Sequence, residues 1–571
     1  MFDSLPSDAG MVKDWTWYQF EGYYHDLLNY PLYDDTLSEF LTNWTRLSEL
    51  IEETFSRLHV AITVNTADAE AEKRYHNFLE TTYPPAEEAE QKLKTKLLDT
   101  GLVAEGFEIP ILGMRTDAEI FREENIRLFV EEHKLTNEYD KVIGAQTVMW
   151  DGQEVTVVQL RPQYQSTDRQ VRENAWRAAS ERQLEDRDAI NKLWRDFLGL
   201  RREQSSNAGF RDYRSFRWKQ LHRFDYTPDD CIRFHEAIEA AVVPVAMRIT
   251  EKRKHVLGLS RLRPWDMEVD PLGREPLKPF TEVGELKAGV SRMFHRLDTT
   301  LGGYFDIMVQ EGYLDLDNRK HKAPGGYCTE FPATKRPFIF MNAVGLHSDV
   351  QTLLHEAGHS FHAFERNALP YIQQRQVGME FSEVASMGME LLASPYLSRD
   401  EGGFYSQQDA DRALLEHLEG AILFWPYMAV VDAFQHWVYE HIMEAEDPNR
   451  CDAVWAALTR RFTPWIDWSG LEDSLATGWH RKLHIHVAPL YYVEYGLAQL
   501  GAVQVWKNSL EDLEKALRAY RRALSLGGTV SLPDLFSAAG ARFAFDSATL
   551  GTAVELLEHI IAKKSQARGE A

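Results

Sequence analysis

The segment His355-Glu356-Ala-Gly-His359 sets two imidazoles four residues apart with a carboxylate between them. On an α-helix a four-residue step returns to nearly the same face, so both rings can address one metal ion. Two neutral imidazoles suit Zn²⁺. A glutamate one residue on reaches the side where a bound water would sit, as a general base requires. The chemistry this pattern points to is metal-assisted hydrolysis, with His355 and His359 as ligands and Glu356 as the base.

A catalytic zinc needs a third protein ligand and an open position. His362 continues the face of His355 two turns on. The longer HExxHxxGxxH pattern, however, requires glycine at 362 and histidine at 365, and the chain has His362 and Glu365 there. His362 therefore reads as a packing or supporting group. Better candidates are the carboxylates Glu380, Glu383 and Glu390, which can share one helix face. The remaining positions of that helix (Val384, Ala385, Met387, Leu391) are apolar or small, so the helix reads as buried, and buried carboxylates need partners. Periodicity alone does not choose between Glu380 and Glu383.

The elements that must position these groups are partly legible. Ser348 and Gln351 read as a capping box, with a helix from 349 whose stripe is Val350, Leu353, Leu354, Ala357 and Phe361. Before it, 337–342 reads as a strand, ended by Gly345. Residues 1–140 read as helical, interrupted at Pro31, Pro84-Pro85 and Pro110, with 87–98 as a solvated charged face. An Asp151-Gly152 turn between Val148-Met-Trp150 and 155–158 predicts a hairpin. Thr167 and Gln170 suggest a second capping box, with a long helix toward Arg202. Thr227-Pro228 opens another toward Leu257. A further strand is plausible at 313–316, and 380–393, 410–446 and 509–525 read as helices. The fold class is mainly α, with a small β-sheet beside the HExxH helix.

With 571 residues and 44% hydrophobic content, two or more lobes are expected. A net charge of −25 argues against nucleic acid as a partner. Cys231, Cys328 and Cys451 are few, odd in number and widely spaced, so they imply no disulfide framework and fit a reducing cytoplasm. The N-terminus lacks the basic-then-apolar pattern of a signal peptide, and no run of about 18 apolar residues suggests a membrane span.

Three segments resemble the thimet oligopeptidase and oligoendopeptidase F family of zinc peptidases: 337–342, 349–362 and Glu380-Phe-Ser-Glu-Val-Ala-Ser386. Upstream, 166–175, Leu200-Arg201 and 209–213 match as well, so the likeness covers roughly residues 140 to 560, most strongly toward the shorter bacterial oligoendopeptidases. It implies that Glu383 is the third zinc ligand, that Glu390 supports the ligands and that Glu380 lies behind them. It also gives a role to His484-Ile-His486-Val-Ala-Pro-Leu-Tyr491-Tyr492-Val-Glu-Tyr495, which in isolation reads as packing aromatics. A histidine and two tyrosines three apart face the zinc in that family, which places His484, Tyr492 and Tyr495 there, with His486 a rival to His484 for the substrate. The expected architecture is two helical lobes enclosing a deep channel, with 1–140 as an N-terminal helical region and 141–571 as the catalytic region. The expected activity is cleavage of internal bonds in short unfolded peptides, whose backbone would pair with an edge strand near Asn342. A zinc exopeptidase and a non-catalytic, metal-containing peptide-binding protein are the rival functions.

Overall fold

The computed structural model describes residues 2–13 and 15–568. Helices dominate, with two small sheets among the described residues. The N-terminal part is built from Trp17–Asn29, Leu37–Val64, Ala69–Thr81, Tyr83–Thr100, Glu108–Ile120 and Glu123–Gly144. Pro31 separates the first two. Pro84-Pro85 and Pro110 instead fall in first turns, where a missing N–H costs no helical bond. Phe20, Phe40, Leu41, Trp44, Leu93 and Phe107 close an apolar core here. A larger core joins the helices from Trp194 to Leu557.

The hairpin forms as β1 (Thr147–Trp150) and β2 (Gln153–Thr156), with Trp150 opposite Gln153. Asp151 and Gly152 have φ of 50° and 81°, the left-handed pair that a two-residue turn matching strand twist demands. The second capping box is displaced by one residue: Asp168 accepts from the Gln170 N–H, and the expected long helix is two, Arg169–Glu185 and Arg187–Asn207. Thr227 and Asp230 do cap Pro228–Ala241, which ends before a second helix, Val243–Val256.

Beside the HExxH helix lies a three-stranded sheet of β3 (Leu314–Asp317), β4 (Tyr327–Phe331) and β5 (Arg336–Ala343). The order is β3-β5-β4, with β3 parallel and β4 antiparallel to β5. The strand carrying Asn342 is therefore central, and the expectation of an edge strand there is wrong. Its run Phe338-Ile-Phe-Met341 is buried, as a central strand requires. The Asn342 side chain is occupied too: its amide donates to the carbonyls of Ala323 (3.0 Å) and Gly325 (2.8 Å), holding the approach to β4. The strand with an outer edge on the site is β4, which the sequence reading missed.

One helix among the described residues, Gln407–Glu440, is long and apolar enough to cross a membrane, contrary to the expectation of none. It is a core helix here. Trp425, Met428, Val430 and Val431 are fully buried, and it carries the buried Asp432 and His436.

Candidate active site

Gly345 (φ 92°) turns the chain from β5 into the helix His347–Arg366. The start differs from the expected capping box. The Asp349 carboxylate accepts the N–H groups of Val344 and Leu346, both at 2.8 Å, and Ser348 and Gln351 do not cap. The cap thus fixes the strand-to-helix turn as well as the helix end. Val350, Leu353, Leu354, Ala357 and Phe361 are fully buried, so the opposite face carries His355, Glu356 and His359 into a cavity of about 580 Å³.

The helix Met379–Leu392 packs across this one very closely. A Cβ at Gly358 would lie 2.5 Å from the Ala385 carbonyl oxygen and 2.6 Å from the Ser386 Cα, so only glycine permits the approach. From behind, the Tyr520 hydroxyl donates to the same Ala385 oxygen at 2.6 Å. The approach delivers Glu383 rather than Glu380 to the histidines. Glu383 Oε2 lies 3.1 Å from His355 Nε2 and 3.4 Å from His359 Nε2, and the donor atoms of these three residues fall within 4.8 Å of one another. Tetrahedral ligands about 2.0–2.1 Å from zinc stand about 3.3 Å apart, close to the two spacings from Glu383 to the histidines.

The surroundings hold the three groups in place. His355 Nδ1–H donates to Glu390 Oε1 at 2.7 Å, leaving Nε2 for the cavity. Glu383 accepts from the Ser386 hydroxyl (2.8 Å) and from the Tyr491 hydroxyl (2.6 Å). Burial opposes both charges, yet the two histidines hold the Glu383 carboxyl well below its usual range, and Glu383 and Glu390 hold His355 well above its own. Glu356 is different. It is 5% exposed, its Oε2 has no hydrogen-bond partner, and burial pushes its carboxyl up against the opposing pull of the histidines. That oxygen has no structural bond to satisfy.

Glu380 does not orient a histidine. It accepts from the Tyr226 hydroxyl at 2.5 Å and stands 3.7 Å from Arg223, in a buried network with Glu494, and bonds to neither histidine. His362 is 3% exposed, edge-on to Phe381, with Nε2 unpartnered on the cavity wall; burial pushes it down to about 3, so it is neutral.

Across the cavity, the tyrosine segment enters through Leu490, whose φ is 63°. Its N–H donates to Gln435 (2.7 Å) and its carbonyl accepts from Arg223 (2.6 Å), which hold this strained residue in place. Tyr491 and Tyr495 then line the cavity. Tyr492 does not: it is 4% exposed, packed between Phe424 and Tyr427, with the Lys482 ammonium 4.3 Å above its ring. Of the expected pair Tyr492 and Tyr495 only Tyr495 reaches the cavity, and Tyr491, just before the helix Val493–Glu511, stands beside it there. The Leu-Tyr-Tyr sequence before a helix was the available signal. His484 Nε2 lies 3.1 Å from the Tyr495 hydroxyl, and burial pushes His484 down to about 3. His486 leaves the contest: it is fully buried, stacked on Tyr139 and Trp479 at 4.6 and 5.7 Å, with no surface to offer a substrate.

Residues 163–554 match the family model described as peptidase family M3. The chain is similar to the oligoendopeptidase F homolog of Lactococcus lactis subsp. lactis (strain IL1403), 27% identical over 38% of this chain and 34% of that protein. It is also similar to the oligopeptidase PepF of Bacillus subtilis (strain 168), 24% identical over 52% of this chain and 43% of that protein. These matches thus span less than half the length of either relative. Among solved structures, a crystal structure described as oligoendopeptidase F superposes with a TM-score of 0.90 at 25% identity over 98% of both chains. PZ peptidase A with an inhibitor superposes at 0.89 and 24% identity over 99% of both, a likeness of fold.

Proposed function

The chain belongs to peptidase family M3, and we propose from the geometry of its site that it is a zinc-dependent endopeptidase of short, unfolded oligopeptides. The observation that carries this reading is Glu356, a buried carboxylate oxygen without a partner beside the His355-His359-Glu383 cluster, whose donor atoms lie within 4.8 Å of one another. A structural metal site would be closed by four protein ligands and would have no use for that oxygen.

In this mechanism His355, His359 and Glu383 hold the ion, with Glu390 fixing the His355 tautomer. Zinc held there would supply Lewis acidity and lower the pKa of a water toward about 7. Glu356 Oε2 takes the proton of the attacking water and passes it to the leaving amine; its raised pKa suits both transfers. Neutral His484, protonated on Nε2, donates to the Tyr495 oxygen, which leaves the Tyr495 O–H free for the oxyanion. The Tyr491 hydroxyl, bonded to Glu383, holds that ligand from the opposite side. The outer edge of β4, on the wall at Gly326–Glu330, offers backbone groups to an extended peptide, which gives affinity with little side-chain selectivity.

The test is cleavage of peptides of about 5 to 25 residues, a range set against the cavity size, read by mass spectrometry with chelator and with zinc restored. Internal cuts that follow zinc, and their loss in Glu356→Gln with zinc still bound, are expected. Trimming from one end would replace the endopeptidase by an exopeptidase, and undiminished cleavage by Glu356→Gln would remove the general base.

A further inference from the structure

A second cavity, of about 670 Å³, adjoins the first: Glu52, Ser56, Ile372, Gln376, Val377 and Met379 belong to the walls of both. A peptide bound at the metal centre therefore has open space to continue into, between the helices Leu37–Val64 and Tyr83–Thr100 and the start of the glutamate helix. The charges on this wall are unbalanced. Six carboxylates (Glu52, Glu87, Glu90, Asp117, Asp225 and Glu494) face one lysine and one histidine.

Both basic groups are already committed. Lys94 and His222 each pair with Asp117, at 2.8 and 2.7 Å. Glu90 is also satisfied, by Tyr24 (2.6 Å), Trp44 (2.7 Å) and Ser48 (2.9 Å). Glu52 and Glu87 make no hydrogen bond or close ion pair among the described residues. Both are exposed, and both line the cavity. The helix face at 87–98, expected to be solvated, is thus partly a cavity wall.

An independent sign comes from the orphaned atoms of the same wall. Glu494 is 1% exposed, and while Arg223 takes its Oε1, its Oε2 has no partner; Gln373 Oε1 is likewise unpartnered. The Gln373 oxygen is an acceptor, while burial and Glu380 push the Glu494 carboxyl well above its usual range, so its Oε2 is the oxygen free to carry the proton. A buried polar atom left unmet is costly, so both point to a ligand with polar groups, and the carboxylate excess of the wall favours one with positive charge.

We propose that Glu52 and Glu87 form a cation-selective subsite of the peptide channel, which takes a positively charged group of the substrate: a lysine or arginine side chain, or a free α-amino group. The proposal rests on the peptidase reading only for the direction in which a peptide lies. Glu52, at the junction of the two cavities, meets the cation nearest the cleavage site, and Glu87 lies further along. Desolvation and neighbouring carboxylates push Glu52 up to about 7, and desolvation does the same to Glu87, against the opposing pull of the Lys94 ammonium on both.

Binding is read on the Glu356→Gln protein by fluorescence anisotropy, so that no hydrolysis intervenes. The probes are a neutral acetylated peptide, the same peptide with lysine or norleucine at each position in turn, and the same peptide with a free amino terminus. Expected is an improvement in Kd of about tenfold at low salt for a cation in one register, fading as salt is raised. Adding Glu52→Gln and Glu87→Gln brings that ratio to about one, and Glu52→Asp with Glu87→Asp restores part of it. A lysine-dependent gain identifies a side chain as occupant, and a gain abolished by acetylation identifies the amino terminus. A ratio near one for every probe, or a ratio unchanged by the double Gln variant, overturns the subsite. Cleavage of the neutral peptide by the unaltered protein is scored separately. Its absence alongside a cation preference would sink the peptidase reading and leave the subsite standing.

Discussion

Replacing Gly358 by alanine tests whether the packing of two helices sets the metal geometry. The added Cβ would sit 2.5 Å from the Ala385 oxygen and 2.6 Å from the Ser386 Cα, about 0.9 Å short of an ordinary 3.4 Å contact. Both atoms are backbone, and the Ala385 oxygen is also held by Tyr520, so no flexible side chain can yield. The helices must part by nearly 1 Å, and Glu383, two residues before Ala385, moves with its helix. Zinc–oxygen bonds tolerate only about 0.2 Å, so a shift of this size removes the third ligand or strains the site. We expect zinc affinity to fall at least about tenfold and stability by about 1–3 kcal/mol, the usual cost of overpacking a core. Chelator competition measures the first and urea denaturation of the zinc-free protein the second. Unchanged zinc affinity with a folded variant would show that the helix approach does not govern the ligand set.

Glu390→Ala removes the acceptor that orients His355 and should weaken zinc binding by about 10- to 100-fold, whereas Glu390→Gln, which keeps an acceptor oxygen, should cost less; chelator competition separates the two. Tyr495→Phe should lower kcat by about a hundredfold with little change in KM, and an effect confined to KM would remove its oxyanion role. Glu52 and Glu87 titrate near 7 in the fold against about 4.5 unfolded, so the folded state binds more protons between these values and stability falls as pH rises through that window. The double Gln variant should accordingly gain stability over the parent at pH 8 and lose most of that advantage toward pH 5, in urea titrations at both.

The sequence by itself determined whatever depends on neighbours along the chain. The apolar stripe of the HExxH helix, the Asp151-Gly152 turn and the Thr227-Pro228 start follow from local dihedral preferences and one-turn spacings, and each appears where those rules put it. Capping was legible only to within a residue or two, because several polar side chains near a helix start can cap: Asp168 takes the Gln170 N–H in place of Thr167, and Asp349 takes the Val344 and Leu346 N–H groups while Ser348 caps nothing. Tertiary structure decided the rest. Glu380 and Glu383 share a helix face, and only the Gly358 contact determines which of them meets the histidines. Tyr491 and Tyr492 are adjacent, and the left-handed Leu490, pinned by Gln435 and Arg223, decides which faces the cavity. Whether β5 is central or at an edge depends on a strand with no alternating pattern of its own, β4. The charged face at 87–98 is exposed, as its composition suggests, but composition does not show that part of it, at Glu87, Glu90 and Lys94, also lines a cavity. In each case periodicity fixes the direction of a side chain relative to its own backbone, and the environment it meets is set by elements distant in sequence.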